Sequence, residues 1–413
     1  MVIETIFFVL LGICIGVFAG LTPGIHINTT IPLLMSLSFL LPNPYYVVVL
    51  IVSVSCTEMF LDLIPSVYLG APDVDTALSV LPAHHLLFEG RGYEAVKLGV
   101  IGGIGALIVG TAFIAVVANY FELLYRISRP YMHFLIISVI AFMAVSEREL
   151  KKILSSLLII SLSGFLGIIT LNSSLVQQNE VLFPVLTGMF GLSGLMLSIA
   201  ENPKMPLQNY DGRLNIRKMD IVKSVILASF AGIAVGFLPA VGISEAVVMT
   251  QYIVRLNTPR SFLIAMSGIN VANDLFSFIS LWLVSNARSG ASVAIQKILT
   301  KLTFFDVIFL TGIVFFTAGI AALLTLYLGR KIPKLLARLN YRCLNASIIF
   351  LIITLIFILT GPYGLLIAFT SASIGMLCVQ LKIRRSHCMG CLLISTVLFF
   401  SGLTPSILSL LGI

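Results

Sequence analysis

Charge is what this chain has least of. Of its 413 residues, 10% are Asp, Glu, Lys or Arg, where a soluble domain carries about 25%, so water cannot solvate most of its surface. The few charges lean positive, with 25 basic against 17 acidic residues. The basic residues do not cluster with interleaved aromatics, which excludes nucleic acid as a partner. They fall instead in short loops between apolar runs, where the positive-inside rule expects them. Cysteine offers no ligand set. Cys14, Cys56, Cys343 and Cys378 lie in or beside apolar segments, and the Cys388-x-x-Cys391 pair next to His387 has no second pair to complete a zinc site. No metal site and no cofactor is therefore expected. HExxH, DDxxD and GxSxG motifs are all missing, so no catalytic residue is assigned and an enzyme is not expected. The opening Met-Val-Ile-Glu lacks the basic n-region of a cleaved signal peptide.

Apolar residues fill the space that charge leaves. They make up 59% of the chain, and the mean hydropathy is +1.09. A crossing takes about 20 apolar residues, which gives an all-α polytopic membrane protein of about 10–14 membrane segments. Apolar runs between charged or Pro/Gly breaks mark helices at 3–22, 27–41, 45–67, 97–119, 131–146, 152–171 and 181–200 in the first half. The second half offers 220–238, 243–256, 261–284, 303–328, 345–360, 362–381 and 389–411. Runs 27–41 and 243–256 are short enough to re-enter the membrane rather than span it.

The halves align without a gap at an offset of 216. Gly16-Val-Phe-Ala-Gly-Leu-Thr-Pro-Gly24 then faces Gly232-Ile-Ala-Val-Gly-Phe-Leu-Pro-Ala240, Glu58 faces Asp274 and Phe60 faces Phe276. The expected organisation is a first transmembrane repeat over 1–200, a cytoplasmic linker over 201–219 and a second repeat over 220–413. Loop charge sets the orientation. Basic loops 330–342 and 382–385 flank the uncharged Gly361-Pro-Tyr-Gly364 turn, so both basic loops are expected in the cytoplasm and the turn outside. In the first half the pattern reverses. Loop 147–152, the counterpart of the turn, carries Arg148, Lys151 and Lys152, while loop 172–180, the counterpart of 382–385, carries only Glu180. The repeats therefore read as inverted, each with an odd number of crossings and both termini outside.

Two broken helices stand at matching places. The first break, at Thr22-Pro23-Gly24, is followed by His26, Asn28, Thr29 and Thr30; the second, at Pro239 to Gly242, is followed by Ser244 and Glu245. Proline removes a backbone donor and clashes with the preceding turn, and irregular backbone at bilayer depth survives only where it is buried or lines a cavity. Paired interruptions in two halves point to a transporter's central site. Each restarting helix presents free N–H groups suited to a carboxylate or phosphate. Polar residues inside apolar helices make up a second set: Glu58 and Asp62 on one face, and Asn270, Asn273 and Asp274 on another. Such groups mark ion or proton paths, so they are the candidates for a coupling ion, Na⁺ or H⁺. A third stretch, Ile64 to Tyr93, is too polar to span and is read as a cap over the cavity; its adjacent His84 and His85 cannot share a helical face.

The segments Gly20-Leu-Thr-Pro-Gly-Ile-His-Ile-Asn28, Leu69-Gly-Ala-Pro-Asp-Val-Asp-Thr-Ala-Leu-Ser-Val-Leu-Pro82, Glu89-Gly-Arg-Gly-Tyr93 and Gly236-Phe-Leu-Pro-Ala-Val-Gly242 resemble those of the large permease subunit of the tripartite tricarboxylate transporters, the TctA family, especially its archaeal-type members. The family's second Pro-Gly is Pro239-Ala240 here. The resemblance implies an ion-coupled symporter of small organic anions such as di- or tricarboxylates, working by alternating access in a prokaryotic cell membrane. It also implies a small membrane subunit and an extracytoplasmic binding protein as partners, alongside membrane lipids and, as a further expectation, a homodimer. A polyprenyl-phosphate or other lipid-phosphate translocase is the alternative, since Pro breaks in inverted repeats suit a phosphate headgroup as well. A membrane-embedded enzyme ranks below both.

Overall fold

The computed structural model describes residues 2–22, 34–35, 41, 43–70, 80–177, 180–201, 206–237, 243–254, 258–284, 289–299, 302–336 and 341–411. Among them all regular structure is helical, with no strand. Eight of these helices are long and apolar enough to cross a membrane, or nine if a bent pair at the C-terminal end counts as one span. Three shorter apolar helices, Met132–Val145, Leu182–Leu197 and Gly290–Leu299, add to these.

Helix α1 (Val2–Leu21) runs up to the first Pro-Gly break. Helix α2 (Pro44–Leu61) starts on Asn43, whose side chain accepts the Tyr45 N–H, with proline in the first turn where its missing donor costs nothing. It continues past Asp62 into the short α3 (Leu63–Tyr68). Then come α4 (Val80–Phe88), α5 (Gly92–Ser128), α6 (Met132–Val145) and α7 (Leu150–Asn172). Run 181–200 is divided into α8 (Leu182–Leu186), a π-turn at Thr187–Leu192 and α9 (Ser193–Glu201).

The second half holds α10 (Lys218–Phe237), α11 (Ile243–Val254), α12 (Pro259–Val284), α13 (Gly290–Leu299) and α14 (Phe304–Leu336). Helix α15 (Tyr341–Gln380) bends at Gly361, whose φ of 68° and ψ of −164° are not helical, so the Gly-Pro-Tyr-Gly turn divides it as the sequence expects. A 3₁₀ turn at Arg385–Met389 leads into α16 (Gly390–Ser401) and α17 (Thr404–Leu411), which meet at 114° across Gly402. Helix α11, with 12 residues, is about 18 Å long, too short to cross a hydrocarbon core of about 30 Å alone. Of run 27–41 only Leu34, Met35 and Leu41 are described.

Two spans are interior. Pro44–Tyr68 and Pro259–Leu283 are each 94% buried, whereas the other six bury between 28% and 44%. Each interior span is clamped to a glycine-bearing neighbour. A Cβ added at Gly12 would lie 2.6 Å from Ser53 Cβ, one at Gly16 would lie 2.6 Å from Thr57 Cβ and 2.8 Å from Val54 O, and one at Gly20 would lie 2.8 Å from both Glu58 O and Leu61 Cβ. Glycine at every fourth position keeps α1 and α2 in backbone contact. Helices α10 and α12 repeat the device: Ala228 meets Gly268, Gly232 meets Ala272 and Ile269, and Gly236 meets Phe276 and Asn273.

The register of this second clamp corrects the gap-free alignment. The glycine helices correspond at an offset of 216, but Ser53, Val54, Thr57, Glu58 and Leu61 correspond to Gly268, Ile269, Ala272, Asn273 and Phe276, an offset of 215. Glu58 therefore packs as the equivalent of Asn273, and Asp274 as that of Met59. A residue is missing between the two helices of the second pair, which an ungapped comparison cannot register.

Segment 206–217 is bound to the first half. The Asn209 N–H donates to Gly90 O (2.7 Å), Gln208 donates to Leu87 O (2.9 Å) and accepts from the Gly92 N–H (3.0 Å), and Lys97 donates to Gly212 O (2.6 Å). Gly90 adopts φ +76°, and a Cβ there would lie 2.7 Å from Leu207 O, so both conformation and space call for glycine. Lys334, near the end of α14, stands over the Tyr210 ring. This contact places the linker on the same side as the basic loop 330–342. Glu147 likewise pairs with His387 (2.8 Å) and accepts the Arg384 N–H (3.2 Å), joining loop 147–152 to loop 382–385.

Candidate functional site

Of the first set of expected site residues, Pro23, Gly24, His26, Asn28, Thr29, Thr30, Pro239 and Gly242 lie outside the described residues, as do the side chains of Ser244 and Glu245. Thr22 is described at the end of α1, where its hydroxyl donates back to Phe18 O (2.8 Å). The helix ends that precede both breaks are described. The last turn of α1 rests through Gly20 on the backbone of Glu58 and Asp62, and the last turn of α10 rests through Gly236 on Asn273 and Phe276. Each of the two helices thus ends beside the polar segment of an interior span.

The second set is described in full. Glu58, Asp62, Asn270 and Asp274 are buried, and Asn273 is half-buried. Glu58 and Asp274 each stand inside a 25-residue apolar span, away from its ends. The two interior spans meet where the Ser55 hydroxyl donates to Asp274 (3.0 Å), one turn before Glu58. On α12, one turn before Asp274, the Asn270 side-chain carbonyl is buried without a hydrogen-bond partner among the described residues, and so is the Thr57 hydroxyl on the face of α2 that packs against Gly16. A buried polar atom left unmatched costs about 1–3 kcal/mol, which an ion or ligand at the crossing would recover. Thr317 donates to Ser53 (3.4 Å) one layer further along, so the polar seam extends to α14.

The Glu89-Gly-Arg-Gly-Tyr93 stretch is a structural clamp rather than a loose cap. Glu94, buried at the start of α5, pairs with Arg91 (2.8 Å) and Arg260 (3.0 Å) and accepts the Asn215 N–H (2.7 Å); Arg260 also reaches Glu89 (3.2 Å). It ties α5, the linker and the first turn of α12 together. His84 and His85 do not act as a pair. His85 faces Glu89 (3.2 Å) from an exposed position, while the His84 Nε2 is buried with no partner among the described residues. Burial, and then the charge of Arg385, lower the His84 pKa to about 4. Among the described residues no group of three His, Cys, Asp or Glu is arranged to hold a metal.

Sequence reasoning missed two residues here. Ser55 carried no mark beyond its polarity in an apolar run. Arg385, counted among the surface bases of loop 382–385, is buried instead, and its guanidinium donates to Phe190 O of the π-turn (3.2 Å). The available signal was the apolar Cys-Met-Gly-Cys run that begins three residues later, at Cys388.

Compared with known proteins, the family described as "Tripartite tricarboxylate transporter TctA family" matches residues 6–390. An uncharacterised protein of Methanocaldococcus jannaschii is 26% identical over 411 residues, covering 95% of this chain and 98% of that protein. No solved structure matches.

Proposed function

The chain belongs to the tripartite tricarboxylate transporter TctA family, a family of secondary transporters, and from that membership we propose that it carries a small organic anion, a di- or tricarboxylate, coupled to Na⁺ or H⁺. It is a multi-pass membrane protein. The reading assigns the anion to the two breaks, Thr22–Thr30 and 239–245, and the coupling ion to the crossing of α2 and α12. One observation carries it: α1 and α10, the helices that run up to the breaks, end against the only two interior spans among the described candidates, and these two spans meet where Ser55 donates to Asp274. The unmatched oxygen of Asn270, one turn from Asp274, supports a cation at the crossing, since oxygen donors in a bundle interior mark ion paths. In the family's tripartite arrangement, a small membrane subunit and a binding protein would deliver the anion.

Inverted orientation belongs to the same proposal. Loop 147–152 and loop 382–385 share a side through Glu147. Their counterparts in the repeat, the Gly361–Gly364 turn and loop 172–180, then fall on the other side, and this supports inversion.

Uptake into proteoliposomes, scanning carboxylates under separate Na⁺ and H⁺ gradients, tests the reading. Pro23→Ala and Glu58→Gln are each expected to lower uptake at least about tenfold while the folded protein is retained. Full uptake by both variants would remove the site assignment. Uptake of no carboxylate, with stabilisation by a polyprenyl phosphate, would replace the substrate class.

A further inference from the structure

A buried arginine needs a counter-charge. Arg385 is 6% exposed, and among the described residues no carboxylate meets it. Its one hydrogen bond goes to the neutral Phe190 carbonyl, and its Nε is buried without a partner. Removing a guanidinium from water costs several kcal/mol unless an anion compensates. Nearby titratable groups include the thiols of Cys378 and Cys388. Phe190 belongs to the π-turn between α8 and α9, a distortion of the helix ladder that recurs at functional sites. Gly194, at the start of α9, lies next to the guanidinium, where an added Cβ would stand 3.4 Å from it. His84, from the first half, lies within electrostatic range, with its own Nε2 buried and unmatched. Helix α11, which restarts after the second break, packs against the 3₁₀ turn carrying Arg385.

We propose that Arg385 forms an oxyanion site that takes a carboxylate or a phosphate group, the guanidinium facing two of its oxygens. The planar fork of arginine matches either group. The oxyanion satisfies the Nε that the folded chain leaves unmatched, and His84, whose own Nε2 is buried and unmatched, is the candidate for a further donor. As a substrate contact the site rests on the transport reading; as an anion site it stands on the unmatched donors alone, and the test separates the two.

The experiment measures binding by the purified full chain in detergent, with citrate, succinate, inorganic phosphate and geranyl phosphate as probes. At least one is expected to stabilise the protein against heat, with affinity lowered about tenfold or more in Arg385→Gln, less in Arg385→Lys, and less again in His84→Gln. If Arg385→Gln does not fold, hydrogen exchange on the wild type decides the matter: the binding probe is expected to slow exchange in 382–391 and 80–88. Equal affinity of the wild type and Arg385→Gln, protection confined to other segments, or no binding of any probe would overturn the site. Loss of geranyl phosphate binding alone in Arg385→Gln supports the site and moves the substrate to a lipid phosphate. Loss of citrate or succinate binding supports both the site and the carboxylate reading. Loss of binding in Arg385→Gln with uptake unchanged supports the site and removes it from the transport path.

Discussion

At the scale of single residues, space and charge make opposite demands on the same helices. Gly16 has no room for a side chain, and Gly16→Val is expected to lower stability by about 1–3 kcal/mol or more through overpacking. Gly312, in α14, has nothing within 4 Å of an added Cβ, so Gly312→Ala is expected to be neutral or to stabilise by up to about 1 kcal/mol. Thermal unfolding of the two variants in detergent checks the contrast. His84 gives a pH signature. Its pKa of about 4 in the folded chain lies below the ordinary histidine value of about 6.5. The unfolded chain thus binds more protons between those values, and stability falls as pH drops through that window. The loss amounts to about 3 kcal/mol by pH 4. Unfolding midpoints from pH 7 to pH 4 should show a steeper decline in the wild type than in His84→Gln. The buried acids were legible because a carboxylate inside an apolar run has few structural uses. Arg385 was not, because a base at the edge of such a run looks the same whether its side chain turns to water or inward.

At the scale of elements, long apolar runs declared themselves and their interruptions did so unevenly. The Gly361 bend was legible from Gly-Pro, since each residue alone disfavours a continuing helix. The π-turn at Thr187–Leu192 was not, because inserting one residue into the ladder leaves an all-apolar stretch all-apolar. Helix α4 was read as part of a polar cap because Pro82 and two histidines break the apolar pattern, yet Pro82 falls in its first turn, where proline is tolerated. Helix α13 is too short and too polar at Gln296 and Lys297 to register as a membrane segment; its start is marked by Ser289 and Ser292, each accepting the other's backbone N–H. The clamp formed by α5, the linker and α12 makes a further prediction. Arg260→Gln leaves Glu94 with Arg91 alone and is expected to cost about 1–3 kcal/mol, less than the about 3–5 kcal/mol of a fully orphaned buried charge. Gln208→Ala, which removes contacts to Leu87 and Gly92, is expected to cost about 1–3 kcal/mol. Both are read from thermal unfolding, with hydrogen exchange rising in 206–217.

At the scale of the whole molecule, sidedness is the testable property. Helix α14, at 33 residues, is about 50 Å long and projects beyond a hydrocarbon core of about 30 Å, which is how Lys334 reaches Tyr210. Single cysteines placed at 148, 211 and 382 in a chain freed of its exposed cysteines should all react with an impermeant thiol reagent from the cytoplasmic face, and cysteines at 174 and 363 from the other. Reaction of 363 from the same face as 382 would remove the inverted orientation. The matching glycine spacing of the two clamped helix pairs was legible in the sequence. Its detailed register was not, because a deletion within a loop is invisible to a comparison made without gaps.

That deletion has a consequence for whatever binds. The connection running from Gly20 to Ser53 and carrying the first break is one residue longer than its counterpart from Gly236 to Gly268. In the anion site proposed between the two breaks, the two walls would then differ, and a ligand with two identical ends would meet a different one at each. Such a site would suit a molecule whose two ends differ in length or charge, so among anions of equal charge the unsymmetrical isomer should be the better competitor for uptake.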